Sequence, residues 1–178
     1  MSNRSRWFAA SFLFFWLWIL PATAERLPAL VQGALPQARL VGQGSLTWFG
    51  FQVYDARLWV KGRQWSFDAP FALELRYARS IPGERLAETS AEEMRRMALG
   101  SEEQLLRWLA AMRRIFPDVA AGDRLIGVHL PGDGVAFYSA GRILGSIPDA
   151  EFARAFFAIW LDERTRRPEL RAALLGSQ

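Results

Sequence analysis

Gly42-x-Gly44 has the spacing of a turn that cradles phosphate, His129 is the one imidazole of the chain, and carboxylates pair at Glu92-Glu93, Glu102-Glu103 and Asp162-Glu163. Each suggests a chemistry that its context can support or remove. A phosphate loop needs a strand, the glycines and at once a helix whose amides face the anion, but Leu46-Thr47-Trp48-Phe49 continues as strand. The glycines then read as places of close backbone approach, or a bulge, within a sheet. His129 has no cysteine and no second histidine to share a metal, so a histidine-based metal site is not expected. A serine–histidine–aspartate set built on it lacks the Gly-x-Ser-x-Gly elbow, and an ordinary strand histidine is the plainer reading. The acidic pairs lie among arginines on predicted helices, where solvated faces explain them better than acid–base work. Trp48, Trp59, Trp65, Trp108 and Trp160 read singly as core, and several are expected to pack together around an apolar pocket.

Positioning any of these groups takes a packed core, and composition bounds how it is built. The chain has 178 residues, 51% of them hydrophobic, and no cysteine. That excludes a disulfide framework, thiolate metal sites and thiol nucleophiles. The net charge is +4, and Arg4 and Arg6 account for part of it ahead of an apolar run over 7–20. Pro21-Ala22-Thr23-Ala24 then gives the small residues a signal peptidase needs, so 1–24 reads as a cleaved signal peptide and the protein as exported, in a periplasm. As a helix the apolar run rises about 21 Å, short of a bilayer core of about 30 Å, and no later segment approaches spanning length. Beyond residue 24 the chain is nearly neutral, with Lys61 the only lysine and arginines spread among glutamates. A nucleic-acid partner is not expected. Residues 25–37, punctuated by prolines, form an N-terminal arm, and 38–178 a single domain.

Periodicity gives the elements. Strands are expected over 39–47 and Phe51–Val60, joined near Trp48-Phe49-Gly50. In the second, Tyr54, Ala56, Leu58 and Val60 share one face while Phe51, Val53, Asp55, Arg57 and Trp59 line the other, so helices should cover one side and something smaller the other. Phe71–Tyr77 alternates as a strand with one buried face. A helix runs over 82–99 and closes at Gly100; Ser101-Glu102-Glu103-Gln104 is a capping box that opens a second helix to about 116. Strands return at Arg124–Leu130, 135–140 and 141–147, the first two flanking the Pro131-Gly132-Asp133-Gly134 turn. Pro148 sits at the first turn of a third helix; Pro168 starts the last and Gly176 ends it. Strands, helices, strands, helices is an α+β order with a largely antiparallel sheet.

These pieces, taken in order, resemble a known family. The Gly42-x-Gly44 strand, Val53-Tyr54-Asp55-Ala56-Arg57-Leu58-Trp59, Leu73-x-Leu75-Arg76-Tyr77, Ala121-Gly122-Asp123-Arg124, Phe137-Tyr138 with Gly145, Phe156-Phe157-Ala158-Ile159-Trp160-Leu161, Pro168-x-Leu170-Arg171 and Leu174-Leu175-Gly176 are similar to the bacterial exported branch of the chalcone isomerase-like family. The resemblance implies an open-faced β-sandwich, a large antiparallel sheet covered by a helical layer with a ligand in the cleft between. It implies that plant members close a chalcone into a flavanone without a cofactor, using an arginine on an early strand, and that fatty-acid-binding relatives hold the carboxylate with a similarly placed arginine and a tyrosine. A guanidinium in a dry cleft makes strong charge-assisted bonds to an oxyanion.

Carried onto this chain, the arginine position falls on Leu46, the threonine position of the plant enzymes on Phe49 and another active-site hydroxyl on Ile159. The helix that bears a tyrosine and an asparagine in relatives corresponds to about 89–99, which has neither. The expectation is a domain that binds an apolar small molecule, a fatty acid or another lipophile, with no metal or cofactor and without the plant-type catalytic residues. Tyr54, Tyr77, Trp48, Arg57, Leu46 and Ile159 are the cleft candidates, Arg57 replacing the missing cation if its strand face turns inward. Arg95 or Arg96 of the helical layer is the other source of a cation. An isomerase or intramolecular lyase with a rearranged site, and an interaction protein without ligand, are the alternatives, and oligomeric state is open.

Overall fold

In a computed structural model, residues 26–139 and 141–176 are described. The predicted signal peptide over 1–24 lies outside the described residues, as does Ala140 at the end of a predicted strand. The elements are α1 (Ala29–Ala34), β1 (Arg39–Trp48), β2 (Phe51–Val60), β3 (Phe71–Tyr77), α2 (Gly83–Arg96), α3 (Glu102–Ile115), β4 (Arg124–Leu130), β5 (Gly134–Ser139), β6 (Arg142–Ile147), α4 (Ala150–Leu161) and α5 (Pro168–Leu174). The six strands form one sheet in sequence order, every neighbouring pair antiparallel. This is the α+β, helix-covered antiparallel sheet the order of elements implied. No helix among the described residues is long and apolar enough to cross a membrane.

Strand alternation sorts the side chains into two cores. Ala56, Leu58 and Val60 of β2, Phe71, Leu73, Leu75 and Tyr77 of β3, and Phe137 of β5 pack against Met94, Trp108, Phe152, Phe156 and Leu174 from the helical layer. On the other face Trp59, Ala72, Ile126, Val128 and Tyr138 are covered by Leu27, Val31 and Leu35. The arm therefore carries a short helix laid on the back of the sheet, each such side chain contributing about 1.5–3 kcal/mol by leaving water. Strand β3 is buried on both faces as a result, where one was expected. Glu74, 1% exposed on the arm side, is compensated by Trp59 Nε1, which donates to Oε2 at 3.1 Å, and by Arg124 at 3.2 Å.

Helix ends follow their chemistry, with two shifts from expectation. Helix α2 stops at Arg96, and Ala98 takes the left-handed conformation (φ 52°), its amide donating to the Arg95 carbonyl and that of Leu99 to Met94. Gly100 has a different role: a Cβ there would lie 2.8 Å from the Trp108 ring. Ser101 and Gln104 make the capping box of α3. Helix α4 begins after Asp149, which caps it by accepting from the Phe152 amide at 2.9 Å, so Pro148 precedes the cap.

The glycines of β1 have a steric cause. Both lie on the helical side of the sheet, opposite Ala56 and Leu58, and a register shift between Leu40 and Gly42 marks a bulge. Helix α5 rests directly on them. A Cβ on Gly42 would lie 2.1 Å from the Ala173 carbonyl oxygen, and one on Gly44 2.8 Å from Leu170 Cδ1. Gly42→Ala should therefore lose about 1–3 kcal/mol of stability in urea unfolding, whereas Gly33→Ala, where nothing lies within 4 Å, should be neutral or slightly stabilising. Equal midpoints for the two variants would remove the packing role of Gly42.

Candidate functional site

Between the sheet and helices α2, α4 and α5 lies a cavity of about 610 Å³. Its floor is a row set by register: Leu46 of β1 opposes Tyr54 of β2, which opposes Tyr77 of β3. Leu75 and Leu125 extend the floor; Leu86 and Thr89 of α2, Phe156, Ile159 and Trp160 of α4 and Leu170 of α5 close it from above. Trp48 and Val53 stand at the β1–β2 end, and Arg79, Arg85, Glu92, Glu93, Arg166 and Arg167 add charged groups to the lining.

The cavity wall thus includes Leu46, Trp48, Tyr54, Tyr77 and Ile159 but not Arg57. Arg57 lies across from Gln43 and Glu74, on the face of β2 that also carries Trp59, and its Nε donates to Gln43 Oε1 at 3.2 Å. Arg57 shares its face with Trp59, which packs under the arm, and is absent from the cavity wall, so it cannot replace the missing strand cation. Nor do the helical-layer arginines named from sequence: Arg95 pairs with Glu102 at 2.6 Å, and Arg96 with Glu93 at 3.0 Å. The indoles do not gather either. Trp48 and Trp160 line the cavity, while Trp59 packs under the arm and Trp108 sits in the core with its Nε1 donating to Asp149 at 2.8 Å.

The cations on the wall are Arg79, Arg85, Arg166 and Arg167, and the last two come from the loop between α4 and α5, a segment without a periodic pattern to draw attention to it. Its signal is local, three arginines in Arg164-Thr165-Arg166-Arg167 immediately before a helix-starting proline. Loop geometry is pinned at several points. Thr165 Oγ1 donates to the Ile159 carbonyl at 2.7 Å, Arg164 to the Met97 carbonyl at 2.9 Å, and Arg171 Nε to that of Leu161 at 2.8 Å. Hydrogen bonding from Arg164 holds the Asp162 carboxyl at about 2, well below the usual value. So fixed, Arg166 pairs with Glu93 at 3.4 Å, and the Arg167 guanidinium carbon lies 5.0 Å from the Trp48 ring centroid. Glu93 is consequently part of the cavity wall and not only of a solvated face.

Two phenols, Tyr77 buried and Tyr54 half-buried, face this cationic rim. Trp160 Nε1 donates to the Tyr54 hydroxyl at 2.9 Å, and the Tyr54 and Tyr77 rings meet edge to face at 6.0 Å. Burial raises Tyr54 to about 12, although the Trp160 bond and the Arg167 charge oppose the shift. Burial also pushes Tyr77 far above its ordinary value, with Tyr54 adding to the effect. At neutral pH both are protonated, which leaves each hydroxyl proton available to a hydrogen-bond acceptor. His129 lies outside this wall; burial holds it below its usual value, and its Nε2 is 2.8 Å from the Phe67 carbonyl oxygen. No cluster of potential metal ligands occurs among the described residues.

Comparison with known proteins agrees with this architecture. A family model described as chalcone isomerase-like matches residues 26–176. An uncharacterized protein of Haemophilus influenzae is 31% identical over 137 residues, which cover 76% of this chain and 67% of that protein. The crystal structure of a fatty-acid binding protein of Arabidopsis thaliana shares the fold at a TM-score of 0.60 and 14% identity, covering 79% of this chain and 88% of the other.

The tyrosine pair ties stability to pH in a definite direction. A phenol whose folded value is raised gives stability that is complete below its ordinary 10.0 and is lost as pH climbs through about 12. The unfolding free energy from urea titrations should fall across that window, by up to about 1.4 kcal/mol per pH unit for each phenol. Tyr54→Phe with Tyr77→Phe should flatten the fall, and an unchanged profile would contradict burial of the pair.

Proposed function

Because the chain belongs to the chalcone isomerase-like family, we propose that it binds a lipophile with an acidic head, a long-chain fatty acid being the simplest case. One observation carries the reading: Arg167 is held against Trp48, close enough to bias Tyr54, on the wall of a cavity that has an apolar stretch of Leu, Ile and Phe beside its charged groups. A tail would lie along Leu46, Leu75, Leu125, Ile159 and Leu170, and a carboxylate would take charge-assisted bonds from Arg167 and a phenol. The volume suits a small-molecule site. Leu46, at the strand position where the family resemblance expects an arginine, then serves as tail contact while the cation enters from the α4–α5 loop.

Binding is favoured over proton transfer by a phenol because of how the two tyrosines are shifted. A general base works best when it titrates near the operating pH, and both phenols are pushed away from it. The segment over 1–24 supports export to a periplasm, where the domain would carry its ligand between membranes or enzymes.

Displacement of a fluorescent fatty acid checks the proposal. Arg167→Ala should weaken binding about tenfold or more, as expected for losing a charged hydrogen bond, whereas Arg57→Ala should leave it unchanged. The corresponding fatty alcohol should bind the native protein more weakly than the acid and should not distinguish it from Arg167→Ala. Wild-type protein that takes up no fatty acid, or equal losses from both arginine variants, would sink the reading.

A further inference from the structure

The β1–β2 hairpin ends in Trp48-Phe49-Gly50-Phe51, and all three aromatic side chains are exposed, at 53%, 84% and 68%. The turn is built on two left-handed residues, Phe49 at φ 48° and Gly50 at φ 79°. Asparagine, aspartate or glycine is the usual first residue of such a turn, and a bulky aromatic there bears a conformational cost. Phe49 recovers little of it by packing, since its ring meets that of Trp48 edge on at 5.0 Å and remains mostly in water. Neither turn chemistry nor the core accounts for three aromatics at this tip.

Its surroundings are equally specific. Trp48 also lines the cavity and carries Arg167 on its ring, so the tip stands at the cavity mouth. The same wall holds Arg79, Arg85 and Arg166 against Glu92 and Glu93, an excess of positive charge. Exposed aromatic rings beside arginines suit the boundary between acyl chains and anionic headgroups. A protein partner fits less well. Three rings of about 150–250 Å² each, only partly exposed, fall short of the ~800 Å² that each side of a stable interface buries.

We propose that the β1–β2 tip is a membrane-docking element that inserts Phe49 and Phe51 into an anionic lipid surface and seats the cavity mouth on it. Docking stands on the tip itself; its role in loading the cavity from the bilayer rests on the lipophile reading above. Arg167 and its neighbours then engage headgroups while Trp48, Leu46 and Val53 form a continuous apolar path inward.

The chain has no cysteine, so one can be placed at will. Gln52→Cys reports on the tip, and Asp133→Cys, in the turn at the opposite end of the sheet, is the control. Each full-length protein, carrying an environment-sensitive fluorophore, is mixed with phosphatidylglycerol–phosphatidylcholine vesicles bearing nitroxides on their acyl chains. Local reporting keeps the result independent of any anchoring by the apolar run over 7–20. Position 52 should be quenched and position 133 spared. Phe49→Ser with Phe51→Ser should reduce quenching at 52 about tenfold or more, and high salt or pure phosphatidylcholine should reduce it as well. Equal quenching at the two positions, or none lost in the serine variant, would overturn docking. A concentration-dependent change at 52 without vesicles would assign the tip to self-association and overturn it too. Fatty-acid displacement in solution, without vesicles, separates the two readings: quenching at 52 in a protein that binds no fatty acid upholds docking and overturns loading.

Discussion

The seat of α5 on β1 is the contact on which the rest of the site depends. Two glycines on one face of a strand let a helix backbone approach to where a methyl group would collide with the Ala173 carbonyl. With α5 held there, the loop before it has one course, and Thr165, Arg164 and Arg171 tie that course to α4 and to the end of α2. Arg167 reaches Trp48 because its loop cannot go elsewhere. A pair of residues that chemistry alone would assign to a phosphate loop thus acts through packing, and its effect on the cavity is indirect.

Across the floor, the row Leu46–Tyr54–Tyr77 converts strand register into electrostatics. Leu46 removes charge from the end of the row, and burial keeps the two phenols protonated. The neighbouring groups then have complementary tasks: an apolar bed, hydrogen-bond donors that do not ionise near neutral pH, and a guanidinium at the rim. Such a set suits recognition of an anionic head on an apolar body better than abstraction of a proton. The hairpin tip continues the same surface outward, since Trp48 belongs to both the cavity wall and the exposed aromatic cluster.

Much of the fold is legible in the sequence because its cause is periodic. Alternation in Phe51–Val60 and Phe71–Tyr77 places the strands and their helical-side faces, and it already shows that Tyr54 and Arg57 point in opposite directions. The capping box at Ser101 is a local signal and needs no tertiary context. The features that escape are set by tertiary contact. Ala98 takes a left-handed position that favours glycine, while Gly100 is needed two residues later as space for Trp108, so a rule about helix ends chooses the wrong residue. The second burial of β3 depends on where the arm folds back, which no pattern within β3 encodes. Arg166 and Arg167 lie in a loop without period, and only the packing of α5 makes them part of the cavity.

A crystal structure of the protein grown with a long-chain fatty acid tests the central proposal most directly. The expected result is a tail inside the cavity with its carboxylate within hydrogen-bond distance of Arg167 and of the Tyr54 or Tyr77 hydroxyl. An empty cavity at saturating ligand, or a carboxylate held at Arg57 on the opposite face of the sheet, would contradict it.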